Sequence, residues 1–309
     1  MYDRIWLSLM IGNSRLHWAV LSEDKVLESW DSDHLAINAN YDEDGLPSRF
    51  LPHTAKELLQ EAELLVCKPP KHVDKESFQG NFTLPTHAHN RFRVASVVPA
   101  EMNRWIERFP GLVPIIPGDV ISGIDGYPTL GVDRALAVRG AAYKWGWPVL
   151  VVDCGSALTF TAGNRERCLG GGAILPGVRL QLMSLGSHTA QLPIVSLPDT
   201  LPPRWAMSTV GGIQSGVMWT IVDGIMGFIR DWQHSQWKEQ DKGKYLTVVF
   251  TGGDGQVLHK AVTESWEEEA HRLQEDTKLR IKLAGEVIHW GMASLYLEKG
   301  GDTRDSKEG

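Results

Sequence analysis

Val149-Leu150-Val151-Val152-Asp153-Cys154-Gly155-Ser156-Ala157-Leu158-Thr159-Phe160-Thr161-Ala162 is the most informative stretch of this 309-residue chain. It reads as a fully buried strand over 149–152, a tight turn of glycine and small polar residues, and an apolar return strand. The same figure stands near the N-terminus. There Leu9-Met10-Ile11 runs into Gly12-Asn13-Ser14, and Leu16 to Leu21 returns. Two copies of one hairpin in two halves point to a duplicated domain with a cleft between the copies. Each turn taken alone also fits an ordinary hairpin.

Working outward, Ile5 to Ile11 and Lys25 to Trp30 complete an N-terminal meander of strands, and 38–53 reads as loop. Thr54 is placed as the N-cap of a helix through Leu65, with Glu57 closing a capping box. Lys68 to Asn90, rich in Pro and His, reads as an irregular insertion. Val94 to Val98 follows as a buried strand and Glu101 to Phe109 as a helix. Gly131 to Trp145 is predicted helical, as is Ser208 to Trp232, where Gly211, Gly212 and Gly216 allow close packing. Tyr245 to Phe250 is a buried strand, and Gly285 to Leu297 a last helix. The expected division is an N-terminal lobe over 1–126 with an insertion around 38–91, a C-terminal lobe over 127–298, and a disordered tail over 299–309.

Composition narrows the function. The chain has 42% hydrophobic and 22% charged residues, which excludes a disordered or coiled-coil protein. A net charge of −7 argues against a nucleic-acid-binding face. Cys67, Cys154 and Cys168 are odd in number and never form CxxC, against a disulfide framework or zinc ribbon and in keeping with a reducing compartment. No stretch is read as a membrane span, and the apolar run Ile5 to Ile11 is short and lacks a cleavage site. The expectation is a soluble, cytoplasmic protein with no membrane partner.

Four segments carry chemistry. Glycine lets backbone amides approach an anion, so the two turns suit nucleotide phosphates, and Asp153 at a strand end suits a cation. In Gly131-Val132-Asp133-Arg134, Asp133 reads either as a general base with Arg134 as an anion clamp, or as ordinary helix-start chemistry. Thr251-Gly252-Gly253-Asp254 lines an adenosine pocket or is a plain turn. Other sites are absent from the sequence: there is no GxxxxGK[ST] and no GxSxG, and Gly170-Gly171-Gly172 is not GxGxxG. His87 and His89 form a close pair without partner acids and read as solvated.

In this order the segments resemble the type III pantothenate kinases, a bacterial family with an actin-like (ribonuclease H-like) fold. Gly12-Asn13-Ser14 is similar to the family's DxGNT, Ser96-Val97-Val98-Pro99 to SVVP, and Gly131 to Arg134 to GxDR. Asp153 to Ala157 is similar to DxGTA, Gly171 to Gly177 to GGxIxPG, Thr209 to Gly216 to TxxxIxxG, and Thr251 to Asp254 to TGGD. The resemblance runs from about residue 5 to residue 292. It implies an α/β fold of two actin-like lobes with mixed sheets flanked by helices. The activity implied is transfer of the ATP γ-phosphate to the primary hydroxyl of pantothenate, in a homodimer. Asp133 would be the base, and Tyr127, Gly131, Val132, Arg134 and Thr209 would line the pantothenate site, Thr209 across the dimer interface. Ile11, Gly12, Asn13, Ser14, Arg15 and Ser156 would bind ATP with its Mg²⁺, and Asp153 would hold K⁺ or NH₄⁺.

One departure stands out. Where the family's first motif begins with Asp, this chain has Met10, and a thioether is a poor ligand for a hard cation. Ser8 shares the face of Met10 by strand alternation but supplies no charge. A non-catalytic binding or regulatory relative is therefore the alternative, and a kinase acting on another small alcohol a third.

Overall fold

The computed structural model describes residues 5–34, 46–47, 52–61, 66–67, 81–83, 91–109, 112–125, 127–236, 245–273 and 279–301. The chain folds as two compact units, residues 1–140 with 288–309, and residues 141–287. This division differs from the boundary expected at 126/127, because the last helix returns to the first unit. Its cause is a close helix crossing: a Cβ on Gly291 would lie 2.2 Å from the Leu136 carbonyl oxygen, so glycine alone permits the approach.

The first unit is built on β1 (Ile5–Ile11), β2 (Leu16–Ser22), β3 (Lys25–Ser32), β7 (Phe92–Ser96) and β8 (Pro114–Ile115), in the order β3-β2-β1-β7-β8. The neighbours of β1 are antiparallel β2 and parallel β7. All seven residues of β1 are buried, as a central strand covered on both faces requires. Its odd face, Leu7, Leu9 and Ile11, packs with Trp18, Phe92, Trp105 and Phe109. Helices α1 (His53–Glu61), α2 (Pro99–Arg108), α3 (Pro117–Val120), α4 (Val132–Trp145) and α8 (Val287–Gly301) accompany this sheet, α4 reaching into the second unit and α8 beginning one residue before the return to the first. Helix α8 covers the even face of β1: Trp6 stacks on Tyr296 at 5.2 Å, and Ser8 meets His289 and Met292.

The second unit repeats the plan. Strands β9 (Val149–Cys154), β10 (Ala157–Gly163), β11 (Leu169–Pro176), β12 (Leu246–Thr251) and β13 (Leu279–Leu283) run in the order β11-β10-β9-β12-β13. Again the hairpin neighbours are antiparallel and the crossover neighbours parallel. Two sheets with one strand order and one mixture of senses are the duplication expected from the paired hairpins, in the α/β plan that the family resemblance implies. Helices α5 (Val178–His188), α6 (Thr209–Gln236) and α7 (Gly255–Leu273) belong to this unit.

Several local expectations change. Helix α1 starts at His53, so Thr54 lies inside it, and Glu57 faces His53 at 3.4 Å instead of closing a box. Around α1 the insertion carries a small sheet, β4 (Leu46–Pro47), β6 (Asn81–Thr83) and β5 (Val66–Cys67) in that order, while His87 and His89 lie outside the described residues. Helix α8 continues to Gly301, inside the stretch expected as a tail, and the rest of that stretch, 302–309, lies outside the described residues. Against the expectation from sequence, α6 is long and apolar enough to span a membrane, with a window of mean hydropathy 1.2. Its apolarity has a use within the unit. Ile213, Met218, Ile221, Val222, Ile225 and Ile229 are buried in the core with β9, β10 and β12.

Candidate active site

In the first unit three separated segments meet at the end of β1. The amide of Gly12 donates to the Arg15 carbonyl at 3.0 Å, closing the turn, while Asn13, Ser14 and Arg15 are exposed. The Val97 amide donates to the Ile11 carbonyl at 3.0 Å, which ties the Ser96–Pro99 strand end to the same turn. A Cβ on Gly131 would sit 3.6 Å from Val97 Cγ1 and 2.3 Å from Asp133 Oδ1. Asp133 thus folds its carboxylate over a glycine that leaves it room, and accepts the Arg134 amide at 2.7 Å. Burial pushes the Asp133 carboxyl above its ordinary value; the Arg134 amide, the Arg134 charge and the His17 imidazole pull the other way. The result is a carboxylate more basic than one in water, which is what abstraction of an alcohol proton asks for.

Arg134 is buried at the start of α4. Its guanidinium donates to the Tyr127 hydroxyl at 2.9 Å, with its carbon 5.7 Å from the ring centre. Tyr127, Gly131, Val132, Asp133 and Arg134 are therefore one local constellation, with Val132 turned into the core.

The second unit holds another convergence. Gly252 has φ +84°, and a Cβ there would lie 2.4 Å from Asp153 Oδ1 and 2.8 Å from the Cys154 carbonyl oxygen. Only glycine fits such a position on both counts. The Asp254 amide donates to the Cys154 carbonyl at 2.9 Å, and Asp254 Oδ1 accepts Arg179 Nε at 2.8 Å. Gly177 closes the group, its amide donating to the Ser156 carbonyl at 3.0 Å. The Asp153–Ala157, Gly171–Gly177 and Thr251–Asp254 motifs are thus one packed assembly with Ser156 exposed on it. A carboxylate beside backbone carbonyls is a hard-oxygen donor set that fits a monovalent cation at Asp153. No cluster of three or more His, Cys, Asp or Glu suited to a metal exists among the described residues. Thr209 stands exposed at the start of α6.

These motif groupings coincide with what the chain resembles as a whole. A model of the type III pantothenate kinase family matches residues 71–231. The chain is 38% identical over 293 residues to the type III pantothenate kinase of a Nostoc species, covering 94% of each. It belongs to the type III pantothenate kinase family. The type III pantothenate kinase of Synechocystis is 34% identical, with 94% of this chain and 90% of that one covered. The crystal structure of a conserved Baf family protein from Campylobacter jejuni shares the fold, with TM-score 0.51 at 18% identity over 96% of this chain and 99% of that one.

Two further polar residues stand beside the Gly12 turn, His17 and Asp31. Met10, 1% exposed, is paired across the sheet with His17, and His17 with Asp31 on β3. His17 Nδ1 lies 2.7 Å from Asp31 Oδ1. The signal was present in the sequence, since counting the antiparallel register outward from the Gly12 turn sets position 17 opposite position 10.

Proposed function

We propose that this chain transfers the γ-phosphate of ATP to the primary hydroxyl of pantothenate, giving 4′-phosphopantothenate and ADP in the first step of coenzyme A biosynthesis. The observation that carries the reading is the Asp133 carboxylate, raised in basicity by burial and fixed by Gly131 and the Arg134 amide inside the family's substrate motif. Asp133 takes the proton of the hydroxyl as its oxygen bonds to the γ-phosphorus, and the bond from that phosphorus to the bridging oxygen of ADP breaks. Phosphoryl transfer of this kind depends on positioning and charge neutralisation, and a placed base adds about 10²–10⁴ in rate.

Arg134, oriented by Tyr127, is the clamp for the pantothenate carboxylate, a charge-assisted contact that fixes the distance from carboxylate to hydroxyl. The amides and side chains of Ile11 to Arg15 and the Ser156 hydroxyl are ATP contacts, the nucleotide arriving as its Mg²⁺ complex. Asp153 with its neighbouring carbonyls would hold K⁺ or NH₄⁺, which supplies positive charge near the phosphates. Homodimerisation is supported by the apolar side chains that the second unit leaves exposed before and at the start of α6: Ile194, Trp205, Met207 and Val210. In such a dimer Thr209 contributes to pantothenate binding across the interface. The cytoplasm is the proposed location, with no role for nucleic acid or membrane. The relatives are named as kinases, and no observation favours the non-catalytic reading raised by Met10.

The test is ADP release by the purified chain with MgATP, K⁺ and pantothenate. Turnover that requires both pantothenate and K⁺ is expected. Pantothenate-independent ADP release, or none with pantothenate bound, would refute the reading.

A further inference from the structure

We infer that Arg139 is a positioning residue for the acceptor pocket: it fastens the α3–α4 connection to α4 so that Tyr127 meets Arg134. The inference rests on the proposed role of Arg134 as the clamp for the pantothenate carboxylate. Arg139 lies on the same helix as Arg134, with its side chain 20% exposed. All three of its guanidinium nitrogens are engaged. Nη1 donates to the Val120 carbonyl at 2.9 Å, Nε donates to Ser294 Oγ at 2.7 Å, and Nη2 pairs with Glu298. Ser294 donates in turn to the Gly291 carbonyl at 2.8 Å, so the α8 side of this knot is set by the close α4–α8 crossing. A planar fork that reaches two helices and a carbonyl at once is a task for arginine, because lysine presents a single nitrogen.

The Val120 contact bears on function. Val120 ends α3 and is buried, as is Ile121 after it. Ile124 folds back on α3, where a Cβ on Gly118 would meet its Cδ1 at 3.7 Å. The Tyr127 amide donates to the Ile124 carbonyl at 2.7 Å, and the Leu130 amide to the Tyr127 carbonyl at 3.1 Å. The Tyr127 hydroxyl then accepts Arg134 Nη1 at 2.9 Å. The connection is thus clasped to α4 at two points, Val120 by Arg139 and Tyr127 by Arg134. Arg134 is the arginine that engages substrate, so Arg139 is the fixed end of the clasp. With that end in place, Tyr127 orients Arg134 before pantothenate arrives, and binding need not order the connection. Asp133 is held separately, by Gly131 and the Arg134 amide. Loss of Arg139 therefore weakens pantothenate binding in the ground and transition states alike and leaves the chemical step unchanged.

The experiment measures pantothenate and ATP kinetics on the full chain, with pantothenate binding read separately by calorimetry. Arg139→Met keeps the apolar stem and leaves the Val120 carbonyl without its donor. It is expected to raise the pantothenate KM and Kd about tenfold, the scale of one hydrogen bond from a charged group, with kcat and the ATP KM within about twofold of wild type. Arg139→Lys, which can keep one contact, is expected to fall between the two. Ser294→Ala cuts the α8 side of the knot alone; it is expected to lower the thermal midpoint and to leave the pantothenate KM within about twofold. A double-mutant cycle with Tyr127→Phe supplies the readout that a merely structural role would not move. The two changes act on one clasp, so their effects on the pantothenate KM are expected to depart from additivity by about threefold or more. Should Arg139→Met not fold, the cycle is run with Arg139→Lys. Additive effects, a pantothenate KM in the Arg139 variant equal to wild type, or a rise in Ser294→Ala that matches it would each overturn the inference while the kinase reading stands. If wild type neither binds nor phosphorylates pantothenate, both fall.

Discussion

Acid should weaken the first unit through one buried imidazole. His289 on α8 is enclosed against β1, its Nδ1 2.7 Å from Ser8 Oγ. Loss of hydration, reinforced by the charge of His17 and opposed by Asp31, depresses it from 6.5 to about 3. Between those two values the unfolded chain binds a proton at this site that the folded chain excludes, so stability falls as pH falls. At 1.36 kcal/mol for each pH unit, the loss is about 2 kcal/mol on going from pH 6.5 to pH 5 and approaches ~5 kcal/mol near pH 3. Set against a domain stability of about 5–15 kcal/mol, the first figure is already measurable and the second approaches unfolding. The assay is urea unfolding at pH 7, 6 and 5 of wild type and His289→Gln, whose amide can still meet Ser8 but does not titrate. Other groups titrate in both proteins, so the difference between the two curves isolates this site. Wild type should lose about 2 kcal/mol more than the variant over that range. Parallel curves would refute the reasoning, since they would mean that the folded protein admits the proton freely.

Asp133→Asn should leave the fold and pantothenate binding in place and lower kcat at least ~10²-fold, as expected for a lost base. In the wild-type enzyme the acid limb of kcat/KM should lie above the ordinary 3.8 of an aspartate, because the base must be ionised and burial raises it; a limb at or below that value would remove Asp133 as the base. Gly252→Ala, with φ +84° and Asp153 Oδ1 2.4 Å from the added carbon, should cost more than ~2 kcal/mol in thermal or urea unfolding. Gly253→Ala, whose Cβ meets nothing within 4 Å, should stay within about 0.5 kcal/mol of wild type, so equal losses at the two neighbours would contradict the packing described.

What the sequence made legible follows a physical division. Turn chemistry is local, so the Gly12 and Gly155 hairpins and the buried strands entering them could be read directly. The Gly131–Arg134 and Thr251–Asp254 motifs were equally visible as patterns, and the family resemblance gave them roles. Their reasons were not visible, because those lie far away along the chain. Gly252 is required by the Asp153 carboxylate and Gly131 by the return of the Asp133 side chain, while Gly291 is required by a carbonyl on another helix. Strand β11 carries Gly170-Gly171-Gly172 after Leu169, a run that propensity alone assigns to loop, yet the strand pairs with β10 from Leu169 to Pro176 with one irregularity at Gly170, because the neighbouring strand supplies the ladder.

The same division accounts for the difference between the expected lobe boundary at 126/127 and the two units of the structure. Helix α4 packs its first turns against α8, and that contact joins residues whose sequence separation no local pattern can bridge. The contact of His17 with Asp31 is hidden in the sequence for a related reason. Each sits in a strand where alternating residues serve only to face the core or solvent, and their significance appears only when three strands are placed in register beside a glycine turn. A motif search weighs Met10 as a loss, because it compares one column at a time. The sheet sets Met10, His17 and Asp31 side by side on three neighbouring strands, a relation that no single motif contains.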